Sequence, residues 1–373
     1  MKKINILFIS SRVNFGGIAN VLYQYISFLS NDNSFHITFL SYDNQETDYG
    51  TYEEFYQKHN VNVIRIPEPK KSINKFRKDI CKILKTNKYD IIHCNLGAIS
   101  NIVLYEAKKH NIPVRIIHSH TCNYQESFIQ KFRRKIYKFF INKCSTAIFG
   151  CSNDAISWIK PKKYKHNSYL IYNAFDVNNF IFNESTRDFY RKKYNLGNEI
   201  VLGYTGRLTA QKNIKFCIDL IEQLSKEINA ILFLVGDGEL RTELEDYVKT
   251  RNLSDFVVFV GNVTNVNEYL NLFDVFIIPS FYEGLCLSFV EAQINGLPCI
   301  ASKCMPNEAR ISQNNIYINV KDCNSLDIAA NNILENKLKR INFNTNENNK
   351  YDIEIEWKNL RDIYISLLEK SIK

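Results

Sequence analysis

The sequence predicts an α/β protein built from two Rossmann-like, doubly wound domains. Three observations carry that expectation. The chain has 373 residues, more than one ordinary core accommodates and enough for two domains of roughly 150–200 residues each. Short continuous apolar runs recur along it, as expected of parallel strands covered on both faces. Turns and amphipathic helical stretches separate the runs, and the pattern restarts near residue 200.

The elements follow in order. Residues 4–9 read as a buried first strand. The turn Asn14-Phe15-Gly16-Gly17 comes next, and then Val21, Leu22, Tyr25, Ile26 and Leu29 mark a helix by their three- and four-residue spacings. Strands are expected at 36–41, 61–66, 91–94 and 114–118, with amphipathic helices such as 73–84 and 99–110 between them. Residues 147–150 read as the last strand of this half. In the second half, strands are expected at 200–204, 230–235, 257–260, 275–278 and 299–301, and helices near 214–224, 239–250 and 289–295. The asparagine-rich stretch 342–350 reads as an exposed loop, and 355–368 as an amphipathic helix with Trp357, Leu360, Ile363 and Tyr364 on one face. The expected domains are 1–173 and 174–354, with a linker at Tyr172-Asn173-Ala174-Phe175-Asp176 and a C-terminal helix within 355–373.

Composition narrows the class. Hydrophobic residues make up 45% and charged residues 23%, the balance of a globular rather than a disordered chain. No run approaches ~18 apolar residues, so no membrane-spanning helix is expected. The first apolar run is short and Ser10, Ser11, Arg12 and Asn14 follow at once, which argues against a secretory signal. The ten cysteines form no CxxC pair and most lie in apolar runs. That is the pattern of buried free thiols in a reducing compartment, and a cytoplasmic location is the expectation.

The net charge of +9 is unevenly placed. Residues 70–88 hold eight Lys/Arg and one acid, 130–143 hold six and none, and 160–165 add four lysines. A basic face suits an anionic partner. Within 129–143, Ile129, Phe132, Ile136, Phe139 and Phe140 form an apolar stripe among Lys131, Arg133, Arg134, Lys135 and Lys138. This fits an interfacial helix on anionic lipid, peripheral to the membrane. It fits equally a core-packed helix with a solvated basic face. Nucleic acid is not expected, since no binding motif accompanies the charge.

Chemistry in such domains belongs to the turns at the carboxyl ends of the strands, and here both sheets are expected to present them to one central cleft. Gly16 and Gly17 open the first helix, where a backbone without Cβ can approach a phosphate at free N–H groups; a plain tight turn is the alternative. The sequence is not GxGxxG, so a dinucleotide fingerprint is absent. Gly206-Arg207-Leu208-Thr209-Ala210-Gln211-Lys212 offers a guanidinium fork and a lysine that together neutralise a diphosphate leaving group. Glu283-Gly284-Leu285-Cys286-Leu287-Ser288-Phe289-Val290-Glu291 places two carboxylates in an otherwise apolar segment, where an acid is costly unless it has a partner. Glu283 can hold sugar hydroxyls, the loop and helix-start amides a phosphate, and Glu291 both ribose hydroxyls. His118-Ser119-His120 ends a strand. With no third ligand nearby the pair makes a poor zinc site, and a sugar-contacting histidine is preferred over a structural one.

Together these residues resemble the retaining glycosyltransferases of family 4, which have the GT-B fold. The resemblance covers nearly the whole chain, adding Ser152, Asn173 and the Gly236-Asp237-Gly238 turn to the segments above, and Glu283 to Glu291 matches the family's E-x7-E signature. Cys286 and Ala174 stand where the family commonly has glycine or, at the former, proline. The segment from Glu291 to Cys299 looks especially like bacterial capsule and exopolysaccharide enzymes. The resemblance implies that Arg207 and Lys212 hold the donor diphosphate, Glu283 the transferred sugar and Glu291 the ribose. It implies that Gly17 approaches the donor phosphate or the acceptor, that His120 contacts the donor sugar, and that Gly16, Asn173, Gly206, Gly236, Gly238, Gly284, Leu285, Cys286 and Leu287 complete the donor-binding backbone. A UDP-sugar donor, a glycan or lipid-linked acceptor, hexosyl or N-acetylhexosaminyl transfer with retention, and no bound metal or other cofactor are the expectations. The tail helix is expected to cross back onto the first domain. A sugar-nucleotide epimerase and a non-catalytic partner of another transferase are the alternatives.

Overall fold

The computed structural model describes residues 3–11, 17–41, 53–120, 128–335, 338–343 and 349–372. It divides into two compact units: Met1–Asp176 with Asn349–Lys373, and Val177–Asn348.

In unit 1, strands β1 (Ile4–Ser10), β2 (Phe35–Ser41), β3 (Asn62–Arg65), β4 (Ile91–Cys94), β5 (Val114–Ser119), β6 (Ala147–Gly150) and β7 (Ser168–Leu170) form one sheet. Its order is β3-β2-β1-β4-β5-β6-β7, and every pairing is parallel. The connecting helices are α1 (Gly17–Asn31), α2 (Glu53–Lys58), α3 (Ile73–Thr86), α4 (Ser100–Lys109), α5 (Phe128–Cys144) and α6 (Asn153–Ile159). Helices over both faces leave no wet side to the central strands, so their side chains are apolar without alternation. Ile6, Leu7, Phe8 and Ile9 are all fully buried. Helix α3 shows the local rules. The Ser72 side chain caps it, accepting from the Lys75 amide at 3.3 Å. Phe76, Ile80 and Leu84, four residues apart, join Ile92, Cys94 and Val103 in one core cluster.

The reading of residues 147–150 as the last strand is corrected here. Strand β7 follows and pairs with β6 at the sheet edge. Its residues are only half-buried, because an edge strand has a neighbour on one side, and so no apolar run announces it.

Unit 2 repeats the plan. Helix α7 (Glu184–Lys193) precedes β8 (Ile200–Thr205), α8 (Ile214–Leu224), β9 (Ala230–Val235), α9 (Arg241–Thr250), β10 (Val257–Gly261), α10 (Val266–Leu272), β11 (Val275–Ile278), α11 (Leu287–Ile294), β12 (Cys299–Ser302), β13 (Asn315–Ile318) and α12 (Ser325–Leu334). The sheet order is β10-β9-β8-β11-β12-β13, all parallel. In both sheets the order reverses beside the first strand, between β1 and β4 and between β8 and β11. Loops leaving the strands there part company and open a crevice at the carboxyl edge.

The last helix, α13 (Ile353–Ile372), belongs to unit 1. Trp357 stacks on Phe28 of α1 with ring centroids 6.1 Å apart. The fully buried Tyr364 packs against Phe8, His93 and Phe149. Among the described residues no helix is long and apolar enough to cross a membrane, and none of the described cysteines is in a disulfide.

Strand β8 carries the loop that matters most below, and its position depends on Gly203. A Cβ there would stand 1.9 Å from the Phe273 ring, which is itself fully buried. Gly203→Ala is expected to destabilise the protein by about 3 kcal/mol through overpacking. Urea unfolding of the purified chain measures it, and a change below ~0.5 kcal/mol would mean that the ring is not held against the strand.

Candidate functional site

In unit 2 the candidate residues converge at the carboxyl ends of β8, β9 and β11. The loop after β8 is pinned from two sides. The Gly206 amide donates to the Val235 carbonyl and the Leu208 amide to Asp237, both at 2.9 Å, tying it to the loop after β9. Gly236 and Gly238 permit this approach. A Cβ on Gly236 would lie 2.0 Å from the Gly206 carbonyl oxygen, and one on Gly238 would lie 2.4 Å from that of Leu208. Gly236 also has φ +131, where L side chains are strained. The absence of a Cβ at these two glycines is thus spent on packing loop against loop. On the other side, the Phe281 amide donates to the Gln211 carbonyl at 2.9 Å, and Gln211 Nε2 donates to the Tyr282 carbonyl at 2.7 Å. Asn213, in the left-handed region, donates from Nδ2 to the Pro279 carbonyl.

Arg207 and Lys212 take different states within this loop. Arg207 is exposed, and its guanidinium makes no hydrogen bond or ion pair among the described residues. Lys212 is largely buried and lies 2.6 Å from Glu283 Oε1. Burial alone would lower the pKa of the ammonium, but Cys286 and Glu283 beside it hold it raised. The Cys286 thiol is itself pushed up to about 12, chiefly by burial. It is therefore neutral at pH 7, and the Glu283 carboxylate is the anion that acts. Lys212 donates to Glu283 Oε1, and its ammonium keeps further N–H donors for a ligand.

Helix α11 begins at Leu287, earlier than the sequence suggests, and Cys286 precedes it with φ +65 and ψ +76. A non-glycine residue in this region carries a cost of about 1–2 kcal/mol, and it turns the helix start away from the preceding loop. The amides of Leu287 and Ser288 donate to no described residue. They are the free N–H groups of a helix N-terminus, which favour an anion. Glu291, one turn into α11, has a pKa pushed up to about 7 by burial. Two residues that the sequence does not single out join the group. The hydroxyls of Thr205 and Ser280, at the ends of β8 and β11, are buried without a hydrogen-bond partner among the described residues, a condition that a ligand or water relieves.

In unit 1, Gly17 starts α1, where an added Cβ would meet no atom of the described residues within 4 Å, while Gly16 lies outside the described residues. His120, past the end of β5, is bracketed by Asn95 Oδ1 at 2.8 Å from Nε2 and by Asn173 Oδ1 at 3.3 Å from Nδ1. Asn173 is buried in a loop that α1 holds through Tyr25, whose hydroxyl donates to the Tyr172 carbonyl at 2.6 Å. His118 packs ring to ring on His120 with centroids 4.0 Å apart, and its Nδ1 is 3.0 Å from His93 Nε2. Burial lowers all three imidazoles, His93 to about 3 and His120 to about 4, so they are neutral at pH 7.

Two other features are distinct from these strand-end groups. A recess of about 720 Å³ in unit 2 is lined by Arg187, Asp274 and Arg340 together with the first residues of β8 and β11. It therefore lies at the amino ends of the strands. Cys81, Glu106 and His110 bring a thiol, a carboxylate and an imidazole within 4.8 Å of one another. They belong to α3, α4 and its C-cap, and Glu106 is already paired with Arg77 at 2.5 Å.

The family model described as Glycosyltransferase Family 4 matches residues 15–179, and that described as Glycosyl transferases group 1 matches residues 186–350. The chain belongs to glycosyltransferase family 4. Among its relatives, EpsF of Bacillus subtilis is 30% identical over 61% of each chain. The capsular polysaccharide biosynthesis glycosyltransferase CapH of Staphylococcus aureus is 29% identical over 97% of this chain and 99% of that protein. The UDP-Gal:alpha-D-GlcNAc-diphosphoundecaprenol alpha-1,3-galactosyltransferase of Escherichia coli is 26% identical over 77% of this chain and 78% of that protein. HepE from Anabaena, solved with UDP and glucose, superposes with a TM-score of 0.82 at 19% identity, covering 97% of this chain and all of that one. This family 4 glycosyltransferase has the GT-B fold, with two parallel-sheet α/β domains.

Removing one partner from a buried pair strands the other charge at a cost of about 3 kcal/mol or more, whereas replacing both is far milder. Lys212→Met is expected to destabilise this transferase by that amount, and Lys212→Met with Glu283→Gln to recover most of it. Denaturant midpoints of the two single variants and the double variant test this. Strictly additive effects would mean that the two side chains are not coupled.

Proposed function

We propose that this glycosyltransferase moves a hexosyl or N-acetylhexosaminyl residue from a UDP-sugar to a lipid-linked or polysaccharide acceptor, with retention of anomeric configuration and without a bound metal. The observation that carries the reading is the set of uncommitted donors at the β8–β11 switch point: the Arg207 guanidinium and the Leu287 and Ser288 amides. With Lys212 they supply the positive field that a departing diphosphate needs. Glu283 then receives hydroxyls of the transferred sugar, Glu291 the ribose hydroxyls, and His120 of unit 1 is assigned to the donor sugar. The acceptor hydroxyl attacks the anomeric carbon on the face that the diphosphate leaves. The carbon–oxygen bond to phosphate breaks, and the hydroxyl proton passes to the departing phosphate oxygen. UDP in the HepE structure and the UDP-Gal donor named for the Escherichia coli relative support the choice of nucleotide. CapH supports a place in capsule or exopolysaccharide synthesis.

Helix α5 supports an anionic lipid surface as partner. The sequence leaves two readings of it open, and the structure combines them. Tyr137, Ile141 and Cys144 pack into the core of unit 1. Ile129, Phe132, Ile136 and Phe139 nevertheless stand between 46% and 63% exposed beside that buried face. An apolar strip flanked by Lys131, Arg133, Lys135 and Lys138 is the amphipathic pattern of an interfacial helix.

Three measurements bear on this reading. UDP at about 100 times its Kd should raise the melting temperature on the order of 5 °C, with much less effect on Arg207→Ala; no shift with UDP, GDP, ADP or TDP would remove the donor site. Glu291 adds a pH signature. Ribose binding favours its charged form, so affinity for UDP-glucose should rise as pH increases through about 7 and then level off. Glu291→Gln should abolish that slope, and it should also stabilise the ligand-free protein at pH 8, where burying the charge is unfavourable. A slope that persists in the variant would assign the titration elsewhere. Finally, vesicles containing phosphatidylglycerol should retain the protein at low salt, and Phe132→Ser with Ile136→Ser should weaken retention at least tenfold. Equal binding by the variant would leave the apolar strip without this role.

A further inference from the structure

The proton positions around His118 are set from the far end of the chain. Tyr364 Oη has one partner among the described residues, His93 Nδ1 at 2.5 Å. A buried hydroxyl must donate somewhere, so His93 Nδ1 accepts and the proton of that neutral ring is on Nε2. That N–H donates to His118 Nδ1 at 3.0 Å. The proton of His118, neutral as well, is therefore on Nε2. This last donor is buried and has no hydrogen-bond partner among the described residues.

His118 forms part of the wall of a pocket of about 330 Å³ that lies entirely within unit 1. The other polar side chains around it include Asn95, His120, Arg133 and Arg134, and no carboxylate is among the described residues that line it. Arg133 is exposed and makes no hydrogen bond or ion pair among the described residues. Arg134 lies over the Trp158 ring at 4.2 Å, which sets its guanidinium plane. Neutral sugars are commonly held with the help of carboxylate acceptors. Among its described residues the pocket offers the uncommitted Arg133 guanidinium and an imidazole N–H but no acid, a set that suits an anion instead. Both arginines come from α5, the helix whose exposed strip carries Ile129, Phe132 and Ile136. An anion bound here has apolar surface beside it, and that combination describes a diphosphate attached to a hydrocarbon chain.

We propose that this pocket binds the diphosphate of a lipid-linked acceptor, gripped by the Arg133 guanidinium and the Nε2–H of His118. The proposal deepens the acceptor half of the function proposed above and rests on it. The diphosphoundecaprenol acceptor named for the Escherichia coli relative is of the same chemical class.

The test uses the full chain with saturating UDP in every arm, so that the donor site is filled. Farnesyl diphosphate, farnesol and inorganic pyrophosphate are then titrated calorimetrically. Farnesyl diphosphate is expected to bind, farnesol not to bind, and pyrophosphate to bind more weakly. Arg133→Gln should weaken farnesyl diphosphate at least tenfold with UDP binding unchanged. Tyr364→Phe leaves His118 in place but removes the group that orients its proton. It should weaken farnesyl diphosphate severalfold, again with UDP binding unchanged. Absence of farnesyl diphosphate binding while UDP binds overturns the proposal, as does equal binding by wild type and Arg133→Gln. Pyrophosphate binding as tightly as farnesyl diphosphate overturns the lipid-linked part. If UDP fails to bind but farnesyl diphosphate binds through Arg133, the donor reading falls and the pocket stands.

Discussion

A parallel sheet covered on both faces has no place for polar chemistry along its length, and this constraint orders everything else in the molecule. In both sheets the central strands bury side chains such as Ile6 to Ile9 and Leu232 to Leu234 almost completely. Functional groups are thereby driven to the strand ends, where backbone amides and carbonyls are not consumed by the ladder. In unit 2 the consequence is a loop cluster held by backbone hydrogen bonds. Because Gly206 and Leu208 bond to the loop after β9, and Gln211 to the loop after β11, Arg207 can remain exposed on a backbone that is itself fixed. Preorganisation of this kind lets an unpaired cation act on a ligand without a large ordering cost.

What could be read from the sequence follows the same division. Buried central strands announce themselves as apolar runs, and β1, β8 and β9 are legible from those runs alone. The edge strands β3 and β10 still show short apolar runs, but β7 and β13 do not: they are half-buried, and their Ser-Tyr-Leu and Asn-Ile-Tyr-Ile stretches resemble ordinary loop margins. The strand-end motifs could be found because glycines, arginines and acids stand out against apolar surroundings. Their pairing could not. Lys212 and Glu283 are 71 residues apart, and His93 and Tyr364 are 271 apart, so no local spacing signals either contact. Helix α5 is an intermediate case. Its periodicity reveals an apolar stripe, but only the packing of Tyr137, Ile141 and Cys144 shows which apolar side chains are left outside.

The unit 2 site is also held in states that folding alone would avoid. Cys286 occupies the left-handed region, the Glu291 carboxyl is raised by burial, and the hydroxyls of Thr205 and Ser280 are buried without partners among the described residues. Such features cost stability unless a ligand relieves them, and they persist where the surroundings over-determine them. Here the surroundings are specific. Gly203 admits the Phe273 ring beneath β8, and Gly236 and Gly238 lock the neighbouring loops. The rigid glycine contacts and the unfavourable polar groups are thus two sides of one arrangement, since the second could not be maintained without the first.

Unit 1 reaches a comparable result by a different route. Its polar groups are ordered by a chain of side chains rather than by loop-to-loop backbone bonds, and that chain begins on α13. Tyr364 is fully buried among Phe8, His93 and Phe149, so its hydroxyl has little freedom of direction. Each imidazole after it is neutral because burial disfavours the charged form, and a neutral imidazole transmits one proton position and no net charge. The direction of the last N–H, on His118, is therefore a property of where the C-terminal helix packs. The final helix does more than cover apolar surface on unit 1: through two histidines it determines whether the wall of the pocket offers a donor or an acceptor.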